Sequence, residues 1–216
     1  MLNNIIQLLT LQVSDVFADI GAGTGLYTEL ITNRVKFTHQ PYCVEPSQEM
    51  SMIAMKSGNL HVFNEGAHTF TKRLYKYDKV LLKEMIHHVN NRRTLWRNIY
   101  KQLNRNGKLL IITRPQSIKM PLFTAAKEAF FNNQPHYDLF VEELIHESFD
   151  VDVKTESYIF KLDKNIWFEM LRNRFMSDLA TFSDDEIESG IREVEKNIIE
   201  NEVSIEDKIV FISASK

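Results

Sequence analysis

Gly21, Gly23 and Gly25 stand at alternate positions behind Asp19 in the stretch FADIGAGTGLYTEL. An apolar run precedes these glycines and a helical pattern follows, so they occupy a strand-to-helix turn. Glycine at such a turn lets the backbone adopt positive φ and approach a ligand closely, and the free N–H groups of the starting helix face the same place. Glu45 ends the run YCVEPS, 24 positions after Gly21. An acidic side chain at the end of a second strand can accept both hydroxyls of a ribose. Tight strand-to-helix packing is the alternative for the glycine run taken alone; Asp19 and the flanking elements favour a bound nucleotide-like ligand. The dinucleotide fingerprint G-x-G-x-x-G would need glycine at position 26, where Leu26 stands.

Lys83 and Glu84 open the run KEMIHH, which closes on His87 and His88. Imidazole titrates near 6.5, so either histidine is a candidate general base for an acceptor that must lose a proton. Adjacent helical residues point about 100° apart, which predicts that only one faces a substrate, with one packed and one in water as the alternative. Neighbouring histidines lack the i, i+4 geometry of a metal pair, and no carboxylate pattern completes a site, so no metal is expected. Arg172 and Arg174 are candidates for receiving a carboxylate or phosphate of an acidic substrate, with a solvated helix face as the alternative. Cys43 is the single cysteine, which excludes an intrachain disulfide and a cysteine zinc site and fits a reducing, cytoplasmic setting.

Short apolar runs alternate with helical patterns and supply the frame for these groups. Strands are predicted at 16–20, 41–44, 61–63, 79–82, 108–113, 151–162 and 208–216, and helices at 27–32, 48–56, 93–103, 122–132, 137–149, 165–182 and 183–201, with a short helix at the start. Strands separated by helices require crossover connections, hence a doubly wound, mostly parallel seven-stranded α/β sheet. The glycine of NRNGK at 104–108 is expected to cap the helix before it, and Ser183 with Glu186 to form a capping box. We expect one domain over 1–216: a cofactor-binding half at 1–115, a helical lid inserted before the last strand at 116–207, and that strand at 208–216. The net charge of −3 and pI near 6.2 disfavour a nucleic-acid partner. No run approaches the roughly 20 apolar residues of a membrane span.

The run D-I-G-A-G-T-G, Asp19 to Gly25, resembles motif I of the class I S-adenosylmethionine-dependent methyltransferases, a Rossmann-like fold. The resemblance covers residues 13–113. It implies that the glycine loop packs against the methionine part of S-adenosylmethionine, that Glu45 holds its ribose, and that NEGAHTF meets its adenine. Many members carry an aspartate in that last loop; here Gly66, Ala67 and His68 stand as the adenine candidates. The implied cofactor set is Asp19, Gly21, Ala22, Gly23, Thr24, Gly25, Glu45, Pro46, Gly66, Ala67, His68, Lys83 and Glu84. DKVLLKEMIHHV is similar to the fourth strand and loop of the small-molecule branch that includes quinone-biosynthesis and trans-aconitate enzymes. The Asn/Asp-Pro-Pro-Tyr type run of amino-methylating DNA enzymes is absent there. The expected function is methyl transfer to a small-molecule acceptor. The competing reading is a non-catalytic binding or regulatory protein. It is motivated by the short stretch before the first strand, which leaves an open side that a protein partner or the lid would cover. A NAD-dependent oxidoreductase is a third reading.

Overall fold

The computed structural model describes residues 1–198 and 200–216. Seven strands form one sheet: β1 (Phe17–Ile20), β2 (Tyr42–Val44), β3 (His61–Phe63), β4 (Tyr77–Lys83), β5 (Leu103–Thr113), β6 (Asp150–Asp163) and β7 (Glu202–Ser215), in the order β3-β2-β1-β4-β5-β7-β6. The first five pair in parallel, and β7 returns antiparallel to β5, with Lys108 opposite Ser215 and Thr113 opposite Val210. The sheet is thus the expected doubly wound, mostly parallel one. Val80, Leu81 and Leu82 of β4 and Leu109 to Ile112 of β5 are all fully buried. Continuous apolar runs are what strands covered on both faces require. The strand order reverses between β1 and β4, and in open α/β sheets ligands bind outside the carboxyl ends of the strands at such a reversal.

Contacts divide the chain into two compact units. The first comprises Met1–Thr113, Asp138–Lys154 and Val210–Lys216. It contains α1 (Leu2–Leu9), α2 (Leu26–Val35), α3 (Gln48–Met55), α4 (Ala67–Phe70) and α5 (Arg92–Gln102). α7 (Tyr137–His146) has all but its first residue there, so the lid interval expected over 116–207 is interrupted. The reason lies in Glu143 of α7. Its carboxylate takes both guanidinium donors of Arg92 at 3.0 and 2.9 Å and the buried Trp96 indole N–H at 2.9 Å, while Arg97 pairs with Glu147.

The second unit comprises Arg114–Tyr137 and Thr155–Ile209, with α6 (Thr124–Asn133), α8 (Lys164–Arg172) and α9 (Asp184–Glu195). Phe123, Trp167, Leu171, Ile187, Ile191 and Ile205 centre its own core. Gly190 sits mid-helix in α9 because a Cβ there would run into the Phe123 ring. Ser183 and Glu186 form the expected capping box.

Two expectations are corrected. Gly107 does not cap α5: the helix passes at Leu103 directly into β5, and Gly107 lies within that strand, where a Cβ would meet the Asn104 carbonyl oxygen at 2.9 Å. The helix expected over 165–182 stops at Arg172. Asn173 returns its side-chain amide to the Glu169 carbonyl, and Arg174 turns the chain at φ +49° before a 3-10 turn at Ser177–Leu179. Among the described residues no helix is long and apolar enough to cross a membrane.

Candidate functional site

The turn from β1 into α2 is built by two anchors. Gly21 and Ala22 both donate their N–H to the Val44 carbonyl at the end of β2, at 2.8 and 3.0 Å. Gly21 has φ +78°, and a Cβ there would stand 2.6 Å from Met85 Cγ, so position 21 must be glycine for the fold itself. Gly23, at φ +59°, has only Met50 Sδ near its would-be Cβ, at 3.9 Å. Space is therefore open over Gly23, which is the part of the loop that a ligand can approach.

Glu45 closes the loop from the side. One carboxylate oxygen accepts the Gly23 N–H at 2.9 Å and the other the Ser47 N–H at 2.8 Å, so it ties the β1–α2 turn to the start of α3. A carboxylate offers about four lone-pair sites, and each oxygen retains capacity for one more donor. Asn64 steadies the same turn by donating to the Glu45 and Pro46 carbonyls.

Asp19 lies beneath, fully buried in β1. One oxygen accepts the Thr28 hydroxyl at 2.6 Å; the other, Oδ1, has no hydrogen-bond partner among the described residues. Burial pushes its pKa up to about 6, against the pull of the Thr28 hydroxyl and the Lys83 ammonium. Lys83 ends β4 with its ammonium 4.3 Å from the centre of the Tyr27 ring, a cation–π contact across to α2.

Beyond β4 the backbone is strained. Glu84 holds φ +53°, unusual for a residue with a side chain, and its N–H is pinned to the Ile112 carbonyl at 2.8 Å. His87 and His88 follow in a 3-10 turn, Ile86–His88. Their rings do not diverge as the helical expectation had it, but touch, with centroids 4.0 Å apart. His87 is half-buried and His88 exposed. On the β3 side, Gly66 caps the short α4, and His68 Nε2 lies 2.7 Å from the Asn90 carbonyl. A carbonyl only accepts, so that nitrogen carries the proton and clasps the loop after β3 to the loop after β4.

The fold is shared with known proteins. A family model described as a methyltransferase domain matches residues 18–111. Over those residues the chain is similar to methyltransferase domains. No curated protein sequence matches the chain. Among solved structures, a protein of Anabaena variabilis assigned as a methyltransferase of an antibiotic biosynthesis pathway superposes with a TM-score of 0.70 at 19% identity, over 97% of this chain and 95% of that one. Phosphoethanolamine N-methyltransferase 2 of Haemonchus contortus, solved with phosphomonomethylethanolamine and S-adenosylhomocysteine, gives 0.64 at 19% identity over the whole of this chain, which spans 52% of that one. A cyclopropane synthase of Mycobacterium tuberculosis gives 0.68 at 14% identity, over the whole of this chain and 82% of that one.

The residues present fit S-adenosylmethionine, the cofactor that the motif I resemblance implies. The buried Asp19 Oδ1 lacks a donor, Gly23 has open space above it, and Glu45 has acceptor capacity left on both oxygens. Thr24 and Pro46 lie exposed on the two loops that Glu45 joins, and Ala22 and Gly25 shape the first of them. Gly66 has nothing within 4 Å of a would-be Cβ, so no crowding demands glycine there.

Arg172 and Arg174 are not brought to this site as free donors. Arg172 is held by Glu188 at 2.6 Å and Glu169 at 2.8 Å, and Arg174 by Asp184 at 2.7 Å and the Phe182 carbonyl at 2.9 Å, all inside the second unit. Sequence reasoning missed Tyr27, Thr28, Met50 and Asn64. Thr28 alone had a signal, a hydroxyl in the first turn of a helix that starts over a buried aspartate.

Proposed function

We propose that the protein transfers the methyl group of S-adenosylmethionine to a small-molecule acceptor. The observation that carries the reading is the join at the carboxyl ends of β1 and β2, where an open glycine loop and the Glu45 carboxylate face one space. When bound, the cofactor supplies an electrophilic methyl on a sulfonium. The chain's part is then to align the reactants and keep water out. Glu45 takes the ribose hydroxyls, the Gly23 segment lies along the methionine part, and Gly66, Ala67 and His68 edge the adenine end. His87 or His88 removes a proton where the acceptor carries one.

A small acceptor is supported by the net charge of −3 and by KEMIHH standing after β4 in place of a run built for flipped bases. One structural neighbour is a phosphoethanolamine methyltransferase, whose acceptor is small. A non-catalytic role as a binding partner has one observation in its favour: Leu26 and Leu30 on α2 and Met50 and Ile53 on α3 are exposed apolar side chains.

A thermal melt with S-adenosylmethionine and with S-adenosylhomocysteine separates the two. Ligand at about 100 times its Kd adds about 2.7 kcal/mol, which raises the midpoint by roughly 5 to 10 °C. Both should shift the midpoint, and acceptor pools should then yield S-adenosylhomocysteine. No shift with either would overturn the enzymatic reading in favour of the partner. Retained turnover in both His87→Ala and His88→Ala would remove the base from the mechanism.

A further inference from the structure

A second cavity lies at the other end of β4, independent of the methyl-transfer reading. The segment 71–76 before β4 and the last turn of α5 enclose about 330 Å3, near the lower bound of small-ligand pockets. Lys72, Arg73, Lys76 and Lys101 line it together with the amides of Asn98 and Gln102, and no aspartate or glutamate does. Arg73 is offset by a two-point pair with Glu65 at 2.8 and 3.0 Å. Lys72 and Lys101 are not ion-paired among the described residues. Lys76 is exposed, its ammonium donating to the Lys101 carbonyl at 2.6 Å. Burial, and after it the nearness of Lys76, holds the pKa of the Lys216 ammonium below its ordinary value.

A second observation points to a ligand with more than charge. Gln102 is only 5% exposed, and its amide nitrogen donates to the Arg73 carbonyl at 2.8 Å, which decides which end of the amide is oxygen. That oxygen, Oε1, is buried with no partner among the described residues. A buried acceptor without a donor is costly, so a hydroxyl arriving there is favoured. Tyr75 walls the cavity, its ring held parallel against Tyr42 with centroids 5.5 Å apart.

We propose that this cavity binds a small phosphate ester bearing a hydroxyl group. The phosphate lies among Lys72, Lys76 and Lys101, and the hydroxyl donates to Gln102 Oε1. The lysines supply charge without the fixed fork of arginine, which suits a phosphate met as a point charge.

The test uses the full chain, isotope-labelled, at low salt with excess S-adenosylhomocysteine present to mask the cofactor site. Ribose 5-phosphate is titrated while amide resonances are followed. Saturable changes confined to residues 71–76 and 98–102 are expected, with none from ribose. The double variant Lys72→Glu, Lys101→Glu, at exposed positions, should bind at least about tenfold more weakly, the loss of two charge-assisted contacts. Gln102→Leu should weaken ribose 5-phosphate and leave inorganic phosphate unchanged. The proposal is overturned by an unaltered affinity in the double variant, by no saturation below about 10 mM, or by equal changes with sodium sulfate at the same ionic strength. The effect of S-adenosylhomocysteine on the Gly21–Gly25 resonances reports the cofactor reading separately, so either can fail alone.

Discussion

Asp19 is held with its pKa near 6 by burial, against an ordinary value of 3.8, and the sign of its contribution follows. Between those values the folded chain keeps a proton that the unfolded chain has released. Stability therefore falls as pH rises through about 4 to 6, and the full penalty, on the order of 3 kcal/mol, applies above that window. Asp19→Asn keeps an acceptor for Thr28 and removes the charge. It should raise the ligand-free midpoint by roughly 5 to 10 °C at pH 7.5 and by little at pH 4, while weakening S-adenosylmethionine. A gain of equal size at both pH values would show that the charge is not the cause. Glu45→Ala should cut S-adenosylhomocysteine affinity at least tenfold in calorimetry, since bonds to a charged acceptor contribute about 1.5 to 3 kcal/mol each. Both residues were legible in the sequence because a carboxylate at a strand end beside a glycine turn has few uses. Thr28 and Lys83, which act on Asp19, stand on α2 and at the end of β4, and only the fold brings them to that carboxylate.

Elements decide why the glycine loop is shaped as it is. Gly21 is required by Met85, which arrives from the far side of β4, 64 positions away in the chain. Gly21→Ala adds left-handed strain of about 1 to 2 kcal/mol and a clash on top. In a Met85→Ala background the clash is absent, so a double-mutant cycle should recover about 0.5 kcal/mol or more. Additive losses would mean that the strain alone carries the effect. The α5–α7 junction is a second such case. Glu143→Ala leaves Arg92 and the fully buried Trp96 N–H without their acceptor and should destabilise by about 2 to 4 kcal/mol in denaturant, with S-adenosylhomocysteine affinity unchanged. Helix periodicity revealed α5 and α7 as elements. Their belonging to one unit rests on ion pairs spanning some 50 residues, which periodicity does not encode.

At the scale of the whole molecule the chain follows its periods with few exceptions. β3 spans the expected 61–63, and the first five strands appear in the expected succession, because each is a short apolar run bounded by turns. Where a local signal met a longer-range one, the longer-range one prevailed: Gly107 had the chemistry of a helix cap, yet it lies within β5, its carbonyl accepting the Lys216 N–H at 3.2 Å. The sequence by itself determined the type of sheet, the glycine turn and Glu45, since these depend on residue types at short spacing. Only the tertiary structure decided that Arg172 and Arg174 are spent on Glu188, Glu169 and Asp184, that His87 and His88 touch, and that a basic cavity forms between residues 71–76 and α5. Each of those outcomes depends on which distant side chain reaches a charge first, and that is a property of packing.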